Sequence, residues 1–163
     1  MKRTTLYLDT SVINFLFAED APDKKEITIE LFECYVKTGI YDAYISQLVI
    51  DEIKRTDVPS HRDQLLAAIE KYFLNYLDFE NDYEEISRLA DQYIVAKILS
   101  RNQIDDATHI SIATVKELDI LLSWNFRHMA NVNKEAKIQA INRMEGYTKP
   151  LKIITPFEVI YHE

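Results

Sequence analysis

The chain has 163 residues, is 47% hydrophobic, and carries 19 Lys and Arg against 27 Asp and Glu, a formal net charge of −8. That length and apolar fraction fit one globular domain with a real core and exclude a disordered chain. The acidic balance argues against a broad basic surface for non-specific nucleic-acid binding.

One cysteine, Cys34, excludes an internal disulfide framework and a cysteine zinc site. It is expected to pack as a small apolar residue in a reducing, cytoplasmic setting. No run of 18 apolar residues occurs, so no transmembrane helix is expected, and "MKRTTLYLDT" lacks the apolar core of a signal peptide.

In chain order, "TLYL" (5–8) predicts a buried strand, followed by a short helix over about 11–17. "AEDAPDKKE" reads as a polar break. A longer helix then runs to Lys37, with Ile27, Leu31 and Tyr35 on one face and Gly39 as its stop. "YDAYI" (41–45) predicts a second strand, after which Ser46 is expected to cap a helix through Arg55. Ser60 with Asp63 resembles a capping box for a helix to about Tyr72, and "FLNYLDF" (73–79) predicts a third strand. Asn81 with Glu84 opens a long helix through Leu99 whose inner face carries Ile86, Leu89, Ala90 and Tyr93. Asp105 or Asp106 begins the helix "DATHISIATVKEL", and "DILLSW" (119–124) is the next strand. A short helix and then "NKEAKIQAINRME" follow. "LKIITP" (151–156) is the last strand, with a turn opened by proline closing the chain.

Short apolar strands alternating with helices predict a parallel sheet covered on both faces. The expected architecture is a three-layer α/β/α sandwich with a short central parallel sheet, in a single domain over 1–163.

Sites in such folds lie at the carboxyl ends of the strands, beside helix N-termini. Asp9 ends the first strand. Glu52 lies in the helix after the second, on the face of Leu48 and Val49, with Asp51 about 100° away. Asp106 stands at the start of its helix, and Asn125 directly follows the fourth strand. Taken singly, Asp9 is a helix cap or a ligand. Asp105 and Asp106 are first-turn acids favoured by the helix dipole or ligands, and Glu52 is a solvated helix acid or a ligand. Together they suit Mg2+ or Mn2+, hard ions that take oxygen ligands, orient phosphate and activate water.

Other polar groups have blander readings. His109 lies one turn after Asp106 and is expected to pack or to hydrogen-bond at the site's edge; no H-x-x-x-H or cysteine partner supports zinc. Trp124, just before Asn125, is expected in the core or at its rim, with stacking of a base as the lesser alternative. Arg127 and His128, with Lys97 and Arg101, supply local positive charge. The only glycines are Gly39 and Gly146, which excludes a phosphate-cradling P-loop or a Rossmann fingerprint.

"LYLDTSVIN" (6–14), "ISQLVIDEI" (45–53), "DDATHISIA" (105–113), "ILLSWNF" (120–126) and "IITPFEV" (153–159) occur in an order that resembles the PIN-domain family, which includes VapC-type toxin ribonucleases. The resemblance implies a metal-dependent endoribonuclease with Asp9, Glu52 and Asp106 as ligands of Mg2+ or Mn2+ and Asp105 as a cap or outer ligand. It implies that Thr10, Ser11 and Asn14 line the same pocket. It also implies an RNA substrate, a small antitoxin partner, a type II toxin–antitoxin setting and homodimers. Many members of the family carry a fourth acid where this chain has Asn125. That amide and the charge of −8 motivate a second reading, a PIN-fold module that binds RNA or protein with little or no nuclease activity.

Overall fold

A computed structural model describes residues 2–125 and 127–161. Phe126, the last residue of "ILLSWNF", lies outside the described residues. Five strands form one parallel sheet: β1 (Thr4–Leu8), β2 (Tyr41–Ser46), β3 (Asn75–Leu77), β4 (Ile120–Leu122) and β5 (Lys152–Ile154), in the order β3-β2-β1-β4-β5. The chain therefore builds outward from β1 in one direction through β2 and β3, and in the other through β4 and β5. The point of reversal lies between β1 and β4, where Tyr7 pairs with Leu121 and Leu8 with Leu122.

Strand residues alternate between faces, so neighbours along β1 enter different cores. Leu6 and Leu8 pack in a cluster with residues of α1 (Thr10–Asn14), α2 (Pro22–Glu30), α3 (Gln47–Lys54), α4 (Pro59–Lys71) and α8 (Pro156–Ile160). Tyr7 enters the opposite cluster, built from α5 (Tyr83–Val95), α6 (Ile104–Val115) and α7 (Val132–Met144). This is the expected three-layer α/β/α sandwich with a central parallel sheet.

Element ends differ from the expectations for local physical reasons. The second helix begins at Pro22, inside the supposed polar break, because proline at the first helical turn costs no hydrogen bond. It continues as a π-helical segment, Leu31–Val36. The wider turn shifts the buried face to Thr28, Leu31, Phe32 and Val36 and leaves Cys34 exposed rather than packed. Val58, not Ser60, occupies the N-cap position of α4, without a side-chain capping bond and again ahead of a proline. α5 ends at Val95 rather than Leu99. The short helix expected before α7 is a turn, and Asn131 caps α7 through the amides of Asn133 and Lys134. Ser46 occupies the cap position of α3 but makes no capping bond; its hydroxyl is engaged in the interior instead.

Candidate functional site

At the carboxyl end of the sheet, Asp9, Thr10, Ser11, Asn14, Glu52, Asp106, His109 and Asn125 line a cleft of about 280 Å³. It lies at the reversal between β1 and β4, where open parallel sheets place ligands. All four polar groups expected there are present. Asp105 is not: it faces outward and pairs with Arg55 at 3.2 Å. Asp51 is likewise outside, accepting from Gln47 at 2.8 Å. Asp105 and Asp106 share the first turn of α6, and the 100° step between neighbours decides which one enters.

Asp9 is both a cap and a cleft acid. Its carboxylate accepts from the Val12 amide at 3.4 Å and from the Ser11 hydroxyl at 2.5 Å, while its own amide donates to the Leu122 carbonyl. Ser11 Oγ in turn accepts from the Trp124 amide at 3.0 Å, tying α1 to the end of β4. Asp9 is only 4% exposed. Burial raises its pKa, and the opposing influence of His109, Ser11, Ser123 and Val12 does not cancel that rise. A cap contributes about 1 kcal/mol and needs no buried charge, so capping alone does not explain an acid so deeply placed.

Glu52 is held from two sides. Thr10 Oγ1 donates to its Oε1 at 3.1 Å, and His109 Nε2 lies 2.5 Å from the same oxygen. His109 Nδ1 is 2.6 Å from the Tyr7 hydroxyl, itself 2.7 Å from Ser46 Oγ. The chain Ser46–Tyr7–His109–Glu52 thus runs from the core to the cleft. Burial works against charging His109, but the bond to and charge of Glu52, with Asp9 and Asp106, raise its pKa above the ordinary value. Burial would also raise the Glu52 pKa; His109, then Thr10 and Arg55, outweigh it and lower it.

Asp106 carries the uncompensated charge. Burial first, then repulsion from Asp9, Glu52 and Asp105, push its pKa up to about 6, against a lowering influence of His109. Asn125 Nδ2 donates to Asp106 Oδ2 at 3.4 Å, and Asn125 Oδ1 accepts from the His128 amide at 3.0 Å. The amide is thus an oriented donor towards Asp106. Trp124 is buried and donates from its indole to Thr28 at 2.8 Å, so it is a core residue and not a stacking platform.

Three carboxylates and one imidazole in a small cleft leave net negative charge, and their oxygen donors suit a hard divalent cation in kind. The arrangement is open: among the described residues, no group of three or more His, Cys, Asp or Glu side chains is drawn together as a metal site. Glu52 Oε1 faces His109 and Thr10 instead.

Tyr7 and Ser46 were not expected near the site. The available signal was a tyrosine inside an apolar strand, whose buried hydroxyl needs a partner. The partner itself is set by β2 and α6, far away in sequence.

No family model matches the chain, and no curated protein matches it. Among solved structures, it is similar to the crystal structure of VapBC2 from Rickettsia felis bound to a DNA fragment from their promoter, with a TM-score of 0.57 at 12% identity. The match covers 93% of this chain and 98% of that one, so the fold is shared over nearly the whole domain. Among the described residues, no helix is long and apolar enough to cross a membrane.

Proposed function

We propose that the acidic cleft is the active site of a metal-dependent endoribonuclease, acting as the toxin of a type II toxin–antitoxin pair in the cytoplasm. The observation that carries this reading is the convergence of Asp9, Glu52 and Asp106 at the sheet reversal, where burial and then mutual repulsion push the Asp106 pKa to about 6. An acid in a cleft whose pKa is shifted by burial and by specific charged neighbours is a candidate functional group. Asp9, Glu52 and Asp106 would hold Mg2+ or Mn2+, which when bound supplies phosphate orientation and water activation. Ser11 keeps Asp9 aimed into the cleft, while Thr10 and His109 fix Glu52. Asn125 orients Asp106 through its amide. Thr10, Ser11 and Asn14 form the wall that a substrate phosphate meets. Hydrolysis at phosphorus with loss of the 3′ oxygen leaves a 5′-phosphate and a 3′-hydroxyl.

The solved neighbour is a two-component complex, which supports a small antitoxin partner. A mainly apolar groove of about 540 Å³, lined by Leu16, Phe17, Ile29, Ala67, Ala68 and Tyr72 with Glu33, Gln64 and Lys71, suits a partner's amphipathic segment. Leu16 and Phe17 lie in the 3-10 turn Phe15–Phe17 that follows α1, so a chain in that groove sits within reach of the acidic cleft.

One observation favours a second reading. The three carboxylates share one cleft without being arranged as a metal site, and the fourth polar group is an amide, as a module that binds RNA or protein without cutting would also show. Calorimetric titration of Mn2+ into wild type and Asp9→Asn, with RNA incubated in parallel, separates the two. The nuclease reading expects saturable binding in wild type, its loss in Asp9→Asn, and RNA cleavage that chelator stops. Mn2+ binding unchanged by the substitution, with RNA left intact, overturns it.

A further inference from the structure

A second cleft opens on the same end of the molecule. It has a volume of about 520 Å³, and its lining includes Lys97, Arg101, His128 and Lys134 but no acid. Lys97, Arg101 and Lys134 are its cations, while burial and then Lys134 and Arg127 hold the His128 pKa below the ordinary value, so that its imidazole offers a neutral donor. In a chain with 27 acids against 19 Lys and Arg, three cations in one cleft without an acid run against the overall charge. Lys97 follows the end of α5, and Arg101 opens the 3-10 turn Arg101–Gln103 that leads into α6. Ser100 and Gln103 close that turn in a capping box, which holds the Arg101 backbone in place. Lys134, in the first turn of α7, donates from Nζ to the Ile98 carbonyl at 3.0 Å, which braces one wall.

The two clefts adjoin. The His128 amide donates to Asn125 Oδ1, and Asn125 lines the acidic cleft. Arg101 precedes Asp106 by five residues of helical backbone, a path on the order of 10 Å. A negatively charged chain whose scissile bond lies among carboxylates needs cations on its neighbouring phosphates. The basic cleft lies where those phosphates would pass. No Phe, Tyr or Trp is among its lining residues, so it suits a backbone rather than a run of stacked bases.

We propose that the cleft of Lys97, Arg101, His128 and Lys134 binds the phosphate backbone of single-stranded RNA flanking the bond held at the acidic site. The inference rests on the nuclease reading for its choice of RNA.

The test measures binding of a fluorescein-labelled single-stranded RNA of mixed sequence, in chelator, across a salt series. Wild type is compared with Lys97→Ala/Arg101→Ala and with a control of equal charge loss, Lys2→Ala/Lys152→Ala, on exposed residues at the amino end of the sheet. Removing two phosphate contacts lowers the slope of log affinity against log salt by about 1.4 and weakens binding roughly ten- to thirtyfold near 0.1 M salt. The control retains nearly all of both. Equal affinity and slope in wild type and the cleft variant, equal loss in the control, or no RNA binding by wild type overturns the proposal. Wild type that binds RNA through the cleft yet leaves it uncut in Mn2+ overturns the nuclease reading and not this one. RNA cut by a cleft variant that binds as wild type does has the reverse meaning.

Discussion

Replacing Asp106 with asparagine is predicted to stabilise the ion-free protein. Asp106 titrates at about 6 in the fold against an ordinary 3.8, a difference of roughly 2 pKa units caused by burial and then by Asp9, Glu52 and Asp105. Fully counted, that is about 3 kcal/mol of unfavourable ionisation at neutral pH. Partial exposure screens it, leaving roughly 1–2 kcal/mol, or about 3–6 °C in melting temperature for a domain of this size. An asparagine keeps the shape and removes the charge. Because the folded pKa is raised, wild type gains stability as pH falls through about 6, so the gap between the two proteins closes towards pH 4. Urea unfolding in chelator at pH 7.5 and pH 4.5 measures both effects. Added Mn2+ should raise the wild-type midpoint and leave the variant unmoved, since an ion that binds only the folded state stabilises it. An asparagine variant less stable than wild type at pH 7.5, or a gap indifferent to pH, would refute the electrostatic account of the cleft.

Three further outcomes follow from the same geometry. Asn125→Asp places a fourth carboxylate against Asp106, so the ion-free protein should lose about 1–2 kcal/mol while Mn2+ affinity rises roughly tenfold by calorimetry; unchanged affinity contradicts the placement of Asn125 at the ion site. His109→Ala leaves Glu52 without its cation and should cost about 3–5 kcal/mol at pH 6. The His109 pKa is raised in the fold, so its charge-linked contribution is full below the ordinary 6.5 and fades as pH rises through the folded value; unfolding curves that show the same deficit on both sides would argue against a charged pair. Leu65→Ala, in the fully buried face of α4, should cost about 2–4 kcal/mol in urea unfolding without changing the Mn2+ response.

Much of this molecule was legible from residue order. The strand cores of β1, β4 and β5 are short apolar runs, β2 (YDAYIS) buries Ala43, Ile45 and Ser46, and the buried face of α5, Ile86, Leu89, Ala90 and Tyr93, follows a helical period. Asp9, Glu52, Asp106 and Asn125 were placed at one end of the sheet by the rule for parallel strands, and they line one cleft. Helix starts were harder to read. Pro22 and Pro59 open helices at points where the flanking residues are too polar to mark an inner face. The π-helical turn at Leu31–Val36 breaks the regular spacing on which periodicity depends, and Cys34 moved to the surface with it. The Glu52–His109 contact joins residues 57 apart, and the Tyr7–His109 contact residues 102 apart. Local patterns carry no trace of such pairings, because they exist only once β1, α3 and α6 have met.

The central claim is that the carboxylate cleft cuts RNA. Sequencing of RNA ends after controlled expression of wild type and Asp9→Asn tests it most directly. The account predicts new 5′-phosphate ends in wild type that are absent from Asp9→Asn at equal protein level. Identical end profiles from the two proteins would contradict it.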